Sequence, residues 1–452
     1  MRVQWMKTDN RIGPYRASGR SSEVGCVRLF MFIGLTLFFS ISVVVPGDLA
    51  LTAGNNSQSD LVSSEKVLGL EECLEIALSS NPLILAGVDQ YQAARARINI
   101  ARSWPQPEFL LDYPLQPSIF APRRSEEKFF WLYQTVEFPG RRFLRTRMAS
   151  LEASENYQDL ESLKLSIAYQ VKEAFFNLLL AEEQLKYAQD NLQLNREFTE
   201  MVEAKHSAGE VSRAEVLRAQ VELSRAESLV KRYELERDIL AARLNLLLGR
   251  DKNEPIAVTG NLRQPLLEMS LEQVREEALK SRPEIKKAEY SLAKMMNLKR
   301  QSYLGYLPDF NLGLARHQVE GIRYWDFSLS FSLPLFFWQK KRGEMAEAEA
   351  LISAGQKEIK YWQNLVYLEV EEAYRQVIFS EKQVKFFEEN ILDKSEEVYQ
   401  LLLFSYKEGQ IGGLDLIEAR RTWLESRITH AEYLCQHTIS LAALAKAIGR
   451  VK

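Results

Sequence analysis

Asp415 and Glu418 form the one constellation in this sequence that we expect to act on a charged solute. Both lie in the segment Leu414–Ala419, and residues three apart on a helix share one face. If a symmetric assembly repeats them around an axis, they form two rings of carboxylates, and rings of like charge favour cations. The alternative is an ordinary solvated helix face. Either interpretation requires a helix, and packing around it, to position the two side chains.

Catalytic and metal-binding chemistry has little support. The sequence contains no nucleotide-phosphate loop, no His-Glu-x-x-His motif and no recognisable Ser/His/Asp arrangement. Few side chains are available for a metal site or a disulfide scaffold: His206, His317, His430, His437, Cys26, Cys73 and Cys435. With 58 Lys+Arg against 61 Asp+Glu in 452 residues, the net charge of -3 also disfavours nucleic-acid binding. We therefore expect no enzyme, no cofactor, no bound metal and no nucleic acid.

The first residues have the composition of a targeting segment. A basic stretch leads into the apolar run Val27–Val45, and Pro46-Gly47 follows it, an order typical of a secretory signal. We predict a signal peptide within residues 1–50 and a polar, flexible lead-in over residues 51–66. The alternative is that the apolar run is retained as a single-span membrane anchor.

The remaining chain contains two copies of one unit. Leu70–Pro82 matches Leu271–Pro283 at an offset of about 200 residues, and several glycines recur at the same spacing. The matching glycines are Gly209 with Gly409 and Gly249 with Gly449. We therefore predict a first repeat over 67–250, a linker over 251–270 and a second repeat over 271–452.

Each repeat contains a very long helix. No Gly or Pro occurs from Arg141 to Ala208, and we predict helices over about 141–206 and 339–406, each on the order of 100 Å long. Apolar residues recur every seven positions along both helices, which is the pattern of coiled-coil packing. They are Val171, Leu178, Leu185 and Leu192 in the first repeat, and Val370, Val377, Val384, Ile391 and Val398 in the second. On the helices alone, a soluble coiled coil remains an alternative.

Short alternating segments precede the long helices and predict two strands per repeat, Phe109–Tyr113, Phe129–Val136, Phe310–Leu314 and Trp325–Leu333. The last segment alternates without a break, with five apolar residues on one face: Trp325, Phe327, Leu329, Phe331 and Leu333. A face of this length suits a lipid-facing transmembrane strand. A strand of a soluble sheet also alternates, but each hairpin is expected to stand alone between helices, without a local core. Because an open sheet edge is not tolerated in lipid, the strands must close with copies of themselves.

These features resemble the TolC family of outer-membrane efflux proteins over almost the whole mature chain. Two segments are similar to its heavy-metal-type (CzcC/CusC-like) branch, Val136-Glu-Phe-Pro-Gly-Arg-Arg142 and Ser332-Leu-Pro-Leu-Phe336. The resemblance implies a mainly α-helical fold with a transmembrane β-barrel portion. In it, three chains with four strands each close a 12-stranded barrel on a periplasmic α-helical tunnel.

The resemblance also assigns roles to the residues near the two glycine turns. It implies that the turns contact a periplasmic adaptor through Gly209, Glu210, Val211, Gly409, Gln410 and Ile411. The alternative is a purely structural role, in which the glycines only end helices. Asp415 and Glu418 match the acids of the pore constriction, and Tyr406 and Glu215 match a gating latch. Ile411 replaces the family's latch arginine, and Arg218 is the candidate to substitute for it.

The sequence therefore predicts a homotrimeric outer-membrane channel of a Gram-negative bacterium, with most of the chain in the periplasm. Its implied partners are outer-membrane lipid, a periplasmic adaptor and an inner-membrane pump of the RND type. It would be the exit duct of a tripartite efflux system for cations or drugs. Two alternatives stay open, a periplasmic coiled-coil scaffold with an N-terminal anchor and an outer-membrane duct for type I protein secretion.

Overall fold

The computed structural model describes residues 67–113, 127–263, 269–319, 321–332 and 337–451. The predicted signal peptide and lead-in, with the apolar run Val27–Val45, lie outside these residues. Every helix within them is too short or too polar to cross a membrane.

The described residues repeat one order of elements. The first copy contains β1 Val67–Leu68, α1 Leu70–Ser80, α2 Pro82–Arg102, β2 Glu108–Asp112, β3 Glu127–Val136, α3 Arg141–Ser207 and α4 Arg213–Leu248. The second contains β4 Ala257–Val258, α5 Leu271–Ser281, α6 Pro283–Leu304, β5 Phe310–Val319, β6 Ile322–Phe331, α7 Phe337–Phe387, a π-helical turn Glu388–Leu392, α8 Asp393–Lys407 and α9 Gly413–Ile448. The segment predicted as a linker supplies β4, which pairs in parallel with β1.

The junction between the two short helices uses different chemistry in each repeat. In the first, the Asn81 side chain accepts from the amides of Leu83 and Ile84 and donates to the carbonyl of Leu247 at 2.8 Å. It thereby caps α2 and ties it to the end of α4. In the second, the corresponding residue is the buried Arg282, which donates to the carbonyl of Ala447 at 3.3 Å. Both side chains satisfy carbonyls that a helix leaves without partners at its C-terminus.

The long helices run through the whole helical part and change neighbours along it. In the half next to the strands the contacts follow the order α2–α3–α6–α7, and in the other half α4–α3–α9–α7, with α8 continuing α7. The predicted seam of α3 is buried where the neighbours change, with Val171, Ala174, Leu178 and Ala181 in contact with other helices. Alanine at such positions lets helix backbones approach closely. The result is a layer four helices wide at each level.

The predicted seam of the second long helix is interrupted. Val370 and Val377 are buried as expected, but the side chains of Ile391 and Val398 are exposed on the surface of the single chain. The π-helical turn Glu388–Leu392 inserts an extra residue and rotates the following helix. Beyond it the residues that α8 buries are Ser395, Tyr399 and Tyr406. The seven-residue pattern therefore continues inside the chain only as far as the partly buried Val384.

The four longer strands form one antiparallel sheet in the order β2–β3–β5–β6. The two hairpins adjoin, because β3 pairs with β5 over ten residues, from Glu127 with Val319 to Val136 with Phe310. The expectation that each hairpin stands alone was therefore wrong. Within the described residues β2 and β6 each pair on one side only, which leaves two open edges.

Candidate functional site

The two glycine turns lie at the end of the helical part that is farthest from the sheet along α3. α3 passes to α4 through Gly209, whose φ is 81°, and α8 passes to α9 through Gly409, whose φ is 76°. In each turn the amide after the glycine donates to a carbonyl five residues earlier at 2.9 Å. Side chains at positive φ are strained, which explains glycine at both positions.

The predicted adaptor-contact residues divide into two groups. Glu210 and Gln410 are exposed beside the two glycines. Val211 and Ile411 are partly buried, and their side chains pack against a hydrophobic cluster inside the tip. The turns therefore expose polar groups and backbone, while one apolar residue after each turn anchors it to the helices.

That cluster, the tip core, joins all four helices that meet here. Its buried members are Phe198 and Val202 of α3, Val216 and Ala219 of α4, Tyr399 and Tyr406 of α8, and Leu416 and Ile417 of α9. Each helix contributes two side chains, so movement of any one helix at the tip must break apolar contacts with its neighbours in the cluster.

Tyr406 and Glu215 of the predicted latch lie close together. Tyr406 is 2% exposed, its ring centroid is 5.4 Å from that of Phe198, and its hydroxyl has no hydrogen-bond partner among the described residues. Burial raises the pKa of Tyr406, and the negative charge of Glu215 adds to the rise. The Glu215 carboxylate itself accepts from the amide of Gly413 at 3.0 Å. Because that amide begins α9, the contact links the first repeat to the helix start of the second.

The structure does not bring Arg218 to this pair. It is exposed on α4 and forms no ion pair within the described ranges. Its role in a latch therefore remains a prediction.

Asp415 and Glu418 are exposed on the first turns of α9. Leu416, Ile417 and Arg420 are buried, which orients the helix so that the two acids point away from the tip core. The two acids thus share an exposed face directly beyond the second turn. Their role in a pore constriction stays a prediction.

Arg420 is a residue that the sequence reasoning missed. It is 5% exposed, and it donates to the carbonyl of Leu194 at 3.3 Å and to the side-chain oxygen of Asn195 at 2.5 Å. Its guanidinium lies 5.2 Å from the Phe198 ring centroid, and burial lowers the pKa of Arg420. Its spacing in the sequence could have indicated this burial, because Arg420 lies three residues after Ile417 and four after Leu416 and so shares the apolar face of α9.

A second missed contact joins α9 to α4. Arg421 donates to Glu222 at 3.0 Å, and Arg225 pairs with the same carboxylate at 2.7 Å. Glu222 is shared between an intrahelical pair and a pair that spans the two repeats. The i,i+3 spacing in the sequence is a signal only for the first of these pairs.

The sheet has one apolar and one polar-aromatic face. On β6 the exposed fraction is 67% for Trp325 and 71% for Phe327, and Leu329 and Phe331 are also exposed. The strand register places further exposed residues on the same face, Leu312 and Leu314 of β5, Phe130 and Leu132 of β3, and Phe109 and Leu111 of β2. Leu333, the fifth predicted member, lies outside the described residues.

The opposite face carries polar and aromatic groups. The His317 ring stacks between Phe129 and Tyr324, with centroid distances of 5.0 and 5.1 Å, and pairs with Asp326 on the neighbouring strand. Gly313 is required on this face because the Tyr133 ring covers it. A Cβ there would lie 2.8 Å from a carbon of that ring.

The described residues offer no group of three or more His, Cys, Asp or Glu side chains that could hold a metal ion. His206, at the first turn, instead contacts the carbonyl of Val211 through Nδ1 at 2.9 Å. Cys73 and Cys435 are free and buried, and burial raises their pKa values to about 11 and about 12.

Known proteins share both this sequence pattern and this fold. The chain is 22% identical over 431 residues to the cobalt-zinc-cadmium resistance protein CzcC of Cupriavidus metallidurans, covering 94% of this chain and all of that protein. It is 27% identical over 408 residues to protein CyaE of Bordetella pertussis, covering 85% of each. The crystal structure of CusC aligns with a TM-score of 0.71 at 17% identity, over 90% of this chain and 97% of that one.

The comparison with protein families agrees with the internal repeat. The family described as outer membrane efflux protein matches twice, over residues 73–250 and 274–450. The two matches coincide with the two structural repeats and together cover most of the chain. The chain therefore belongs to the outer membrane efflux protein family, the TolC-type exit ducts of efflux systems in the outer membrane.

Proposed function

We propose that three copies of this chain close a 12-stranded barrel and a helical tunnel, through which an inner-membrane pump expels cations. The exposed apolar face of the four-stranded sheet is the observation that carries this proposal. Alternate residues on all four strands expose apolar side chains in one direction, as a lipid-facing sheet requires. The open edges of β2 and β6 need partners in lipid, and neighbouring copies supply them.

The helical layer supports the same assembly. In the half farther from the sheet, α4 and α7–α8 are the two ends of the layer. Both end helices carry a stripe of exposed apolar residues on the side away from their buried contacts. The stripes comprise Leu217, Val221, Leu235, Ile239 and Leu246 on α4, and Tyr361, Leu368, Phe379 and Phe386 on α7. Two different edges that cover each other form a head-to-tail interface, which closes a ring when the rotation permits.

Cations are the substrates that the tip favours. In a trimer Asp415 and Glu418 form two rings of three carboxylates at the entrance, and such rings favour cations over anions. Both residues are exposed and lie directly beyond the second turn. The relative CzcC is named for resistance to cobalt, zinc and cadmium. We propose divalent metal ions as cargo, supplied by a pump of the RND type.

The tip is the gate in this proposal. The exposed turns at Gly209 and Gly409 receive the adaptor, and the tip core holds the four helices in the closed position. The hydrogen bond from the Gly413 amide to Glu215 joins the two turns within one chain, and the buried Tyr406 lies near the same carboxylate. Opening then requires α8 and α9 to move away from α3 and α4, with Arg218 free to pair in either state.

The selectivity test replaces the two acids by amides. We expect Asp415→Asn with Glu418→Gln to lower the cation preference in planar-bilayer recordings, because the rings lose their charge. The control Glu396→Gln with Glu397→Gln removes two exposed charges of α8 and should leave selectivity unchanged. Unchanged selectivity in the first variant would remove both acids from the pore.

The assembly test is fractionation followed by gel electrophoresis with and without heating. We expect an outer-membrane species that shifts from trimer to monomer on heating. A carbonate-extractable protein would contradict the barrel and favour the coiled-coil scaffold. Export of a polypeptide in transport assays would favour type I secretion.

A further inference from the structure

Exposed or partly exposed aromatic and basic side chains lie where the sheet ends and the long helices begin. In the first repeat the Arg142 guanidinium, on the first turn of α3, lies 4.0 Å from the ring centroid of Trp104. Trp104 is in the segment between α2 and β2, and more than half of its surface is exposed. An arginine stacked on an exposed indole combines an apolar ring with a charge that is free to bind an anion.

This pair lies on the same side as the apolar face of the sheet. Gln134 of β3 is two residues beyond Leu132, so its side chain projects from the same face. Its amide donates to the carbonyl of Pro105 at 2.9 Å. Because Pro105 follows Trp104 directly, the Trp104 segment runs along the helical border of the apolar face.

Two more aromatic–arginine pairs occur at the same level. Phe143 and Arg147 are one helical turn apart on α3, and both are exposed. Trp338 and Arg342 have the same spacing on α7 and are exposed as well. Arg142 and Arg342 are 200 positions apart, so the repeat places an arginine at the same height on both long helices.

These three arginines differ from other basic residues at the same level because no described acidic side chain pairs with them. Three other basic residues at this level are neutralised within the chain, in the pairs Arg141 with Asp309, Arg145 with Glu137, and Lys341 with Glu344. Among the described residues Arg142, Arg147 and Arg342 have no ion pair. The border therefore carries three positive charges per chain that no described acid offsets.

We propose that these six residues, the basic rim, bind anionic phospholipid headgroups of the leaflet that faces the helices. The rim consists of Trp104, Arg142, Phe143, Arg147, Trp338 and Arg342. Aromatic side chains are favoured at the level of the headgroups, and guanidinium groups form paired hydrogen bonds with phosphate oxygens. The Trp104–Arg142 pair adjoins the apolar sheet face, so a bilayer that covers that face brings its phosphates to this level. The inference rests on the proposed placement of the sheet in the membrane.

The test uses the full-length protein reconstituted in phosphatidylcholine vesicles with increasing fractions of phosphatidylglycerol. The readout is the temperature at which the oligomer dissociates on gels. We expect this temperature to rise with the anionic fraction and the rise to disappear at high salt, since salt screens exposed charges. Arg142→Gln with Arg147→Gln and Arg342→Gln should abolish the rise. Each arginine should contribute roughly a fivefold preference for anionic over neutral lipid.

Two matched variants separate charge from structure. Replacing the same three arginines by lysine should retain most of the rise, because the charge is kept. Removing three exposed charges of the far helical half, with Arg196→Gln, Arg213→Gln and Lys231→Gln, should leave it intact. An equal rise in the rim glutamine variant, or equal protection by inorganic phosphate in neutral vesicles, would overturn the inference.

The same gels distinguish failure of the rim from failure of the channel. A wild-type oligomer that resists heating equally in neutral and anionic lipid overturns the rim and leaves the barrel standing. If no heat-resistant oligomer forms in any lipid, the proposed barrel fails and the rim inference falls with it.

Discussion

Arg420 is buried between α9 and α3, and its replacement should loosen the tip. Arg420→Met keeps much of the side-chain volume but leaves the buried side chain of Asn195 without its donor. An unsatisfied buried polar group costs about 1–3 kcal/mol. We expect faster amide hydrogen exchange over residues 413–424 and a higher leak conductance in bilayers.

The partner variant provides the control for Arg420. Arg420→Met combined with Asn195→Leu removes donor and acceptor together, so its effect should be smaller than the sum of the two single effects. Arg421→Met removes the exposed neighbour and should change stability by at most about 1 kcal/mol. Unchanged exchange in Arg420→Met would show that the buried contact does not hold the tip.

His437 makes stability depend on pH. It is buried on α9, with Nδ1 3.0 Å from the Ser380 hydroxyl of α7, and burial lowers its pKa from the ordinary 6.5. The charge of Glu381 acts in the opposite direction but more weakly. The unfolded chain therefore binds the proton first, and the free energy of unfolding should fall as pH falls below about 6.5. Above that pH the contribution is fully present.

His437→Gln isolates this contribution from other titrating groups. The urea concentration at the midpoint of unfolding should be measured against pH for the wild type and for His437→Gln. The two profiles should diverge only below about pH 6.5, where the wild type loses more stability. Parallel pH profiles would mean that His437 does not titrate between the folded and unfolded states.

At the scale of elements, the sequence predicted most of what can be read from local patterns. The absence of Gly and Pro predicted a helix over 141–206, and the structure has Arg141–Ser207. The alternating segments predicted four strands, but β5 and β6 each extend to ten residues. Pairing of β3 with β5 could not be predicted, because contact between residues far apart in sequence leaves no local pattern.

The same distinction applies to the site. Asp415 and Glu418 were identifiable because their spacing places them on one helix face. The contact of Glu215 with Gly413 and that of Arg420 with Asn195 join residues about 200 positions apart or more. Such contacts depend on how α9 packs against the first repeat, and only the folded chain shows this.

The π-helical turn Glu388–Leu392 sets the rotation of α8. Deleting the exposed Asn390 should restore α-helical geometry and rotate the following helix by about 100°. Tyr399 and Tyr406 would then turn out of the tip core, so we expect faster hydrogen exchange at the tip and a larger leak conductance.

A substitution that keeps the chain length is the control for this deletion. Asn390→Ala removes the side-chain bond to the Phe386 carbonyl but leaves the extra residue in place, and should behave like the wild type. A deletion variant with a protected tip would show that the turn does not determine the rotation of α8.

At the scale of the whole molecule, the change of neighbours along α3 and α7 gives a physical reason for the proposed assembly of several copies. Four helices lie side by side at each level, and they form an open layer with two ends. The sheet at one end of this layer is likewise four strands wide with two open edges. Within the described residues neither the sheet nor the helical layer is closed, and in the proposed trimer one rotation relating the chains would close both.

The apolar stripe of α4 offers the most direct test of that closure. Leu235→Glu with Ile239→Glu places two charges on the side of α4 away from α3, so the fold of the chain should persist while the interface fails. Burying one such side chain contributes about 1.5–3 kcal/mol per copy, and a buried unpaired charge opposes association further. We expect a monomer with unchanged helical circular dichroism and no heat-resistant oligomer. Leu235→Met with Ile239→Met keeps the stripe apolar and should still assemble. A trimer in the glutamate variant would show that α4 faces solvent and that the barrel closes through another edge.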